Sequence, residues 1–311
     1  MARVVAIVGS GLIGRSWACV FARAGWEARL HDSVPGQAER ARDLIAASLR
    51  EQATHGLVQD PAAALARISI VRDLAEAVAG ASFVQESTPE TIENKCAVFR
   101  ALDALAPGDA VLASSTSFIV ASRFSEGLAG RARCLVAHPV NPPHLVPLVE
   151  LVGAPWTAPE TVARAKSVYE EIGQVPIVVR KEIDGFILNR LQGALLAEAF
   201  RLVGEGYVSP QDCDKTVKDG LGLRWSFMGP FETIDLNAPG GIADYCARYT
   251  GPYRKMQAAP AAPSVFDSKN VAAIVTQWGL PAAPDRLASR MAWRDRRLAA
   301  LRAHKASQEQ V

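Results

Sequence analysis

The feature that most constrains this chain is an apolar run at its beginning that leads directly into a glycine-rich turn. Residues 4–8 read Val-Val-Ala-Ile-Val, a pattern typical of a strand buried in a parallel sheet. Gly9-x-Gly11-x-x-Gly14 follows, and then a helical pattern runs from Leu12 to Ala24 and ends at Gly25. This order predicts the first strand–turn–helix unit of a dinucleotide-binding fold.

An acidic residue stands where such a fold binds a ribose. The next predicted strand, 28–31, ends at Asp32, eighteen residues beyond Gly14. A carboxylate there accepts hydrogen bonds from ribose hydroxyls and repels the extra phosphate of NADP. The next residue is Ser33 and not an arginine that could bind that phosphate. A chance glycine turn is the alternative, but the strand, helix and acid all agree. We therefore predict NAD as cofactor, bound by Gly9, Gly11, Leu12, Ile13, Gly14 and Asp32.

Composition places the chain among ordinary globular proteins. Its 311 residues suit two domains, and its net charge of +2 favours neither nucleic acid nor membrane as a partner. The basic run between 286 and 302 has the spacing of a solvated helix face. Five cysteines, an odd number without a CxxC pair, predict a reducing compartment and no metal site. With no apolar leader or run of 18 apolar residues, we predict a cytoplasmic protein.

Two patterns divide the chain near residue 183. Before it, apolar runs alternate with helical patterns, which predicts a Rossmann-type doubly wound, mainly parallel sheet in an NAD-binding domain of residues 1–183. After it, helical patterns recur and no strand is convincing. Loops are predicted to interrupt these helices at Gly251-Pro252 and at 260–263. Residues 184–311 are thus predicted to form a helical domain for substrate binding and dimerisation. Its apolar faces, which include Trp225, Phe227, Trp278 and Trp293, predict a homodimer.

A histidine and a glutamate follow one another on two predicted strands. His138 lies just beyond the strand 134–137, and Glu150 lies twelve residues later within apolar neighbours. A carboxylate is expensive to bury unless it is paired. If the strands are neighbours, Glu150 can orient His138 as the base that removes a hydroxyl proton from the substrate. A purely structural His–Glu pair remains the alternative.

Two polar clusters are predicted at the same edge. Ser117 closes the run Ser114–Ser117 after a strand, and Asn189 lies on the first turn of the helix that opens the second domain. Ligands of such folds bind beyond the carboxyl ends of the strands, in a crevice between domains. Taken alone, a hydroxyl after a strand is commonly a helix cap, and an asparagine near a helix start commonly makes local contacts.

Several longer motifs together carry a family resemblance. They are GSGLIGRSWA, QESTPETIENK, SSTS, AHPVNPPHLVPLVELV, GFILNRLQ and GLGLRWSFMGPFET, spread from residue 9 to residue 233. On these the chain resembles the 3-hydroxyacyl-CoA dehydrogenase superfamily, most closely its L-gulonate 3-dehydrogenase (lambda-crystallin) branch. One departure is Ser115, where the fatty-acid enzymes have asparagine.

The resemblance implies roles for individual residues. His138 would be the general base paired with Glu150, and Ser117 and Asn189 would hydrogen-bond the reacting oxygen of the substrate. Asn141 would help to place the nicotinamide. Glu90, Lys95 and Ser117 would contact the cofactor, although Glu90 and Lys95 also suit a solvated helix start.

The predicted activity is NAD-dependent oxidation of the 3-hydroxyl of an L-3-hydroxy acid, with L-gulonate converted to 3-dehydro-L-gulonate. Arg224 is predicted to bind the substrate carboxylate through two parallel hydrogen bonds, which a thioester could not accept in the same way. Arg224 could instead pair with Asp219 or Glu232, or face solvent. A 3-hydroxyacyl-CoA or carnitine-type dehydrogenase is the alternative enzyme, and a non-catalytic NAD-binding structural protein is the alternative of another class.

Overall fold

An eight-stranded sheet organises the first half of the chain, in a computed structural model that describes residues 3–279 and 283–308. The strands are β1 (Val4–Val8), β2 (Glu27–His31), β3 (Ile68–Ile70), β4 (Phe83–Glu86), β5 (Val111–Ser114), β6 (Cys134–Pro139), β7 (Leu148–Gly153) and β8 (Val175–Val179). Their order across the sheet is β3-β2-β1-β4-β5-β6-β7-β8. All neighbours are parallel except β6 and β7, which are antiparallel.

Helices cover both faces of this sheet. They are α1 (Leu12–Arg23), α2 (Gln37–Thr54), α3 (Pro61–Ala66), α4 (Leu74–Val78), α5 (Ile92–Leu105), α6 (Ala121–Ser125) and α7 (Pro159–Glu171). Successive residues of β1 point to opposite faces: Val5 and Ile7 pack in the core beneath α1, α2 and α7, whereas Ala6 and Val8 pack in the core beneath α5 and α6. The predicted doubly wound, mainly parallel fold is confirmed.

Capping residues set where several helices begin. Asp60 accepts a hydrogen bond from the Ala63 N–H and precedes Pro61, Asp73 caps α4 in the same way, and Thr91 accepts from the Asn94 N–H at the start of α5. At the other end of α1, Gly25 has a φ of +90°, a conformation that glycine adopts without strain. These local signals set the limits of the helices.

Residues Leu188–Ser289 form a second compact unit, and its described regular elements are helices. It contains α8 (Leu188–Gly204), α9 (Pro210–Lys215), a π-helical segment (Thr216–Leu221), α10 (Gly222–Trp225), α11 (Pro230–Leu236), α12 (Gly241–Gln257), a 3₁₀ turn (Pro263–Phe266) and α13 (Ser268–Trp278). The loop predicted at Gly251-Pro252 is wrong, because Pro252 lies inside α12. Tyr245 stacks on Tyr249 and hydrogen-bonds Tyr253, so contacts between side chains bridge the interruption.

The last described helix, α14 (Pro284–Ala306), joins the first unit and not the second. From Arg290 onward it groups with residues up to Ile187. Ala299 is fully buried, and Arg302 donates to the carbonyl oxygens of His144 and Gly173. The observed division therefore differs from the predicted one, since surface arginine spacing does not reveal which unit a helix packs against.

Two properties of the described residues bear on the environment of the protein. None of their helices is both long enough and apolar enough to cross a bilayer. The five cysteines all carry free thiols.

Candidate active site

The glycine-rich turn has the geometry of a phosphate cradle. Gly9 has a φ of +94°, and a Cβ on it would meet the carbonyl oxygen of Ser87 at 2.6 Å. A Cβ on Gly14 would overlap the carbonyl oxygen of Gly9, whereas one on Gly11 would meet nothing within 4 Å. Gly9 and Gly14 thus hold α1 tightly against β1, and Gly11 leaves open space at the start of α1. This combination fits a dinucleotide.

Asp32 is fixed at the end of β2 by three hydrogen bonds. Its Oδ2 accepts from the Ser10 N–H at 2.7 Å and the Ser10 hydroxyl at 2.8 Å, and its Oδ1 accepts from the Val34 N–H at 2.9 Å. Partial burial by itself would raise the pKa of the Asp32 carboxyl, but the hydrogen bonds from Ser10 and Val34 outweigh it and lower that pKa. Asp32 therefore carries its charge at neutral pH.

A cavity of about 420 Å³ opens beside Asp32. Residues 32–36, 38–39 and 70–72 line it. Its lining is more apolar than polar and suits the flat face of a nucleobase next to a ribose-binding carboxylate. Arg72 belongs to this lining, a neighbour of Asp32 that no local sequence signal indicated.

His138 and Glu150 form a buried pair across β6 and β7. They are opposite one another in the antiparallel register, and His138 Nδ1 lies 2.7 Å from Glu150 Oε2. His138 is 4% exposed and Glu150 is fully buried. The predicted pairing between neighbouring strands is confirmed. Because a carboxylate can only accept, the short contact assigns the proton to Nδ1 and leaves the lone pair on Nε2.

The chain segment that leaves the first unit also holds this pair. The Ile187 N–H donates to Glu150 Oε1 at 2.8 Å, and the ring of Phe186 lies 5.4 Å from the His138 ring between centroids. Phe186 is fully buried and has a φ of +48°, a left-handed conformation that is uncommon for a bulky residue. Sequence reasoning missed both contacts, since nothing local in Gly185–Ile187 points to a strand 37 residues away.

Ser117 is positioned by Glu90. One oxygen of Glu90, Oε1, accepts from the Thr116 hydroxyl at 2.5 Å, the Ser117 N–H at 2.8 Å and the Phe118 N–H at 3.1 Å. Glu90 therefore fixes the backbone of the turn after β5 that carries the Ser117 side chain. The structure gives Glu90 this positioning contact in addition to the cofactor contact that the family resemblance predicts.

Lys95 lies in a buried ionic network behind that turn. It is 1% exposed, and its Nζ lies 2.8 and 3.1 Å from the two carboxylate oxygens of Glu86 and 3.6 Å from Glu90. The other partners of Glu86 are the Ser114 hydroxyl at 2.5 Å and both the N–H and hydroxyl of Thr88 at 2.6 Å. The alternative of a solvated helix start does not describe Lys95, because its charge is compensated in the interior by Glu86, which sequence reasoning had not singled out. The cofactor contact of Lys95 stays a prediction.

Ser115 is the centre of a second buried network. Its hydroxyl oxygen accepts from Trp17 Nε1 at 3.0 Å and Gln85 Nε2 at 2.8 Å, and lies 2.9 Å from the Ser87 hydroxyl. One donor and two acceptor positions exhaust what a serine hydroxyl can form. Ser115 is thus fully satisfied at the position where the fatty-acid enzymes carry asparagine.

The remaining predicted residues occupy separate places. Asn141 is exposed in the loop between β6 and β7. Asn189 is the second residue of α8, and Arg224 is an exposed residue of α10, both in the second unit. Arg224 was predicted between helices but is itself helical, and within the described residues it forms no ion pair with Asp219 or Glu232. Their roles at the reacting centre stay predictions.

The carboxyl ends of four parallel strands bring the first-unit residues to one edge. Four strands are consecutive in the sheet, in the order β1, β4, β5 and β6. Three strand spacings of about 4.8 Å therefore separate Gly9 from His138 along that edge, a distance of about 14 Å. Ser117 follows β5, between them. Among the described residues, no group of three or more His, Cys, Asp or Glu side chains could hold a metal ion.

Comparison with known proteins identifies this arrangement. The family model of the 3-hydroxyacyl-CoA dehydrogenase NAD-binding domain matches residues 4–183, and the model of the C-terminal domain of the same family matches residues 185–288. Rabbit (Oryctolagus cuniculus) lambda-crystallin is 42% identical over 96% of each chain. An L-carnitine dehydrogenase of a Pseudomonas species is 39% identical over 82% of this chain and 78% of its own.

A solved structure agrees over nearly the whole length. The 5-formyl-3-hydroxy-2-methylpyridine 4-carboxylic acid 5-dehydrogenase, described as an NAD⁺-dependent dismutase, superposes with a TM-score of 0.85 at 30% identity, covering 99% of this chain and all of the other. Together with the phosphate cradle and the ribose carboxylate, these matches establish NAD as the cofactor. The chain belongs to the 3-hydroxyacyl-CoA dehydrogenase family and is an NAD-dependent oxidoreductase.

Proposed function

We propose that this protein oxidises the 3-hydroxyl group of a free L-3-hydroxy acid, with L-gulonate as substrate and 3-dehydro-L-gulonate as product. The observation that carries the proposal is the buried His138–Glu150 pair at the edge that also bears the nucleotide cradle. The similarity to lambda-crystallins supports the choice of L-gulonate. A purely structural protein would have no need for a histidine that a buried carboxylate holds in one tautomer.

His138 supplies the base. Its Nδ1–H donates to Glu150, so Nε2 is the nitrogen that accepts the proton of the substrate hydroxyl. NAD, when bound, accepts the hydride from the carbon atom that bears this hydroxyl. Glu150 keeps its charge throughout and stabilises the imidazolium that forms, while the Ile187 N–H holds the second carboxylate oxygen in place.

Ser117 and Asn189 hydrogen-bond the reacting oxygen in this proposal, and Glu90 contributes by fixing the turn that carries Ser117. Arg224 binds the carboxylate of the substrate. Its exposure and its lack of an ion pair within the described residues support this role, because a guanidinium already paired with an acid would be unavailable. Asn141 helps to place the nicotinamide.

Carnitine is a second candidate substrate. It is also a free 3-hydroxy acid, and the L-carnitine dehydrogenase at 39% identity favours it specifically. Arg224 would serve the carboxylate of either compound. A 3-hydroxyacyl-CoA, in contrast, presents a neutral thioester at the corresponding position.

A substrate panel tests the proposal. L-Gulonate, L-carnitine, L-3-hydroxybutyrate and 3-hydroxybutyryl-CoA are incubated with NAD, and NADH formation is followed at 340 nm. We expect the highest kcat/KM with L-gulonate and a loss of about 10²–10⁴ in turnover for His138→Asn, with NADH affinity retained. Preference for the thioester would reject the free-acid assignment, and near-normal turnover of His138→Asn would reject the base.

We also propose that the protein is a cytoplasmic homodimer that associates through the second unit. Large apolar side chains of that unit are exposed, among them Phe227 at 67% and Phe231 at 73%. Exposed apolar area of this kind marks interaction surfaces. Light scattering should give twice the mass of one chain, and a mass near 33.2 kDa would contradict the proposal.

A further inference from the structure

Four arginines lie within electrostatic reach of the buried loop residue His144. Arg15 and Arg23 come from α1, and Arg294 and Arg302 come from α14. In each helix the two arginines are eight residues apart, which places them on the same face. We call these four residues and His144 the His144 cluster. It joins two helices from opposite ends of the chain.

Two guanidinium groups of the cluster meet on one oxygen atom. Arg23 Nη1 and Arg302 Nη1 donate to the carbonyl oxygen of His144 at 2.7 and 2.8 Å. Their other partners, Gln52 Oε1 at 2.7 Å and the Gly173 carbonyl at 2.9 Å, are also uncharged. Burial, reinforced by the charge of Arg302, lowers the pKa of Arg23 to about 9. Neutral acceptors therefore leave the mutual repulsion of the two cations uncompensated.

The negative charge supplied by the described chain is too small for this cluster. Asp295 pairs with Arg294 at 2.7 Å, and no ion pair to Arg15, Arg23 or Arg302 occurs within residues 3–279 and 283–308. Burial and the four arginines lower the pKa of His144 to about 3, so this imidazole is neutral and adds no charge. Three of the four arginines therefore have no ion pair among the described residues in a half-buried place, an arrangement that is costly without an anion.

Unsatisfied polar atoms occur at the same place. Two buried side-chain atoms in the described residues, His144 Nδ1 and Gln174 Oε1, have no hydrogen-bond partner, whereas Arg294 Nη2 is taken by its ion pair with Asp295. His144 is 9% exposed and Gln174 is 5% exposed. Gln174 is tied to the cluster on both sides, because its Nε2 donates to the Pro143 carbonyl at 3.0 Å and Arg302 binds the carbonyl of the preceding residue. Uncommitted groups of this kind call for a bound partner.

We propose that the His144 cluster binds a small oxyanion of the phosphate class between α1, the loop 140–147 and α14. Guanidinium groups match the oxygens of such an anion through paired hydrogen bonds. The O–H of hydrogenphosphate can also donate a hydrogen bond to Gln174 Oε1, while the other phosphate oxygens accept hydrogen bonds from the arginines. The two arginines that meet on the His144 carbonyl lie away from the nucleotide cradle, since Arg23 is on the last turn of α1, roughly 16 Å along the helix from Leu12, whereas Arg15 is on the first turn.

The anion would stabilise the packing of α14 and would take no part in the reaction. It would hold α14 against the first unit and fix the loop that carries Asn141, whether or not the proposed substrate is correct. The expected readout is therefore stability, which separates this proposal from the proposed function.

The test is thermal unfolding of the full-length protein with saturating NADH, at constant ionic strength, with sodium chloride replaced stepwise by phosphate. We expect the Tm to rise by about 5 °C at a hundredfold excess of phosphate over its Kd. Arg302→Met should remove most of this rise. Arg296→Met, on an exposed position of the same helix, should keep it. An equal rise in the wild type and Arg302→Met would overturn the proposal, since it would reflect the general exclusion of phosphate from protein surfaces.

Gln174→Glu provides a second test that does not remove a cation. It keeps the side-chain shape and supplies a carboxylate next to the cluster. We expect a higher Tm without phosphate and a smaller response to phosphate, because the built-in charge replaces the ion. A lower Tm with an unchanged phosphate response would overturn the proposal, as expected for burial of a carboxylate where no positive potential exists.

Discussion

Replacement of Glu150 by glutamine tests the His138–Glu150 pair most directly, because the change preserves shape while it removes the negative charge and replaces one acceptor oxygen by an NH₂ donor. The donors to Glu150 include His138 Nδ1–H, at Oε2, and the Ile187 N–H, at Oε1. An amide offers one acceptor and one donor. If its oxygen faces Ile187, its NH₂ group faces Nδ1, and the histidine is driven to the tautomer with the proton on Nε2.

That tautomer cannot accept the substrate proton. The opposite amide orientation keeps Nδ1–H bonded but sets the NH₂ group against the Ile187 N–H in a fully buried place, so it loses that hydrogen bond, whereas the first orientation keeps both contacts and changes the tautomer. Loss of the correct tautomer in a comparable His–carboxylate pair lowers kcat by about 10⁴. We therefore expect Glu150→Gln to lower kcat by about 10³–10⁴, which corresponds to about 4–5.5 kcal/mol at 1.36 kcal/mol per decade.

The assay is steady-state NADH formation together with NADH binding by fluorescence. NADH affinity should stay within a factor of about three, because Glu150 lies behind His138 and not at the cradle. Glu182→Gln is the matched control, since Glu182 also accepts a hydrogen bond from a backbone N–H. The donor is Ser122, at 2.8 Å. If Glu150→Gln kept turnover within threefold of the wild type, the pair would be structural and the proposed base would be wrong.

Three further predictions concern other parts of the molecule. Asp32→Ala combined with Ser33→Arg should narrow or reverse the preference for NAD over NADP. Because Arg72 already lines the pocket, Asp32→Ala alone should give part of this change. Equal kcat/KM for both cofactors in the wild type would contradict the role of Asp32. Arg224→Met should raise KM for a free hydroxy acid about tenfold with NADH affinity unchanged, and Arg224→Lys should recover only part of the loss; a matching loss with an acyl-CoA would exclude carboxylate binding. Below pH 6.5 His144 becomes protonated in the unfolded chain but not in the folded protein, where its pKa is about 3, so the free energy of unfolding should fall by up to about 1.4 kcal/mol for each unit by which the pH is lowered. Urea titrations at pH 6.5 and pH 5 should show that His144→Gln loses about 2 kcal/mol less of this free energy than the wild type. An equal loss in both proteins would refute the neutral buried state of His144.

Local patterns predicted most of the sheet and the nucleotide cradle. The strand 4–8 and the helix that begins at Leu12 are set by apolar periodicity and by the glycines between and after them, and these signals lie within a few residues of the structure they determine. His138 and Glu150 could be paired because only twelve residues separate them and both strands are evident from their apolar neighbours.

Contacts between distant segments could not be predicted in the same way. The hydrogen bond from Ile187 to Glu150 and the ion pair of Lys95 with Glu86 depend on which elements meet in three dimensions. Pro252 shows the opposite limit: the local rule that proline ends a helix is overridden by tyrosine contacts on both sides of it. The packing of α14 is a third case, because an arginine that bonds two carbonyls of a distant unit looks, in sequence, like a solvated one.

The return of α14 to the first unit has a consequence for how the protein is made. Arg23 and Arg302 bind the same carbonyl oxygen although 279 residues separate them in the chain. During synthesis the sheet can assemble once residue 179 has left the ribosome, but the surface that α14 covers must wait for the whole helical unit to be translated. At about 5–20 residues per second this interval lasts several seconds or more. A nascent chain therefore exposes the side of α1 that bears Arg15 and Arg23 throughout that time, and a chain that stops before Arg290 never covers it.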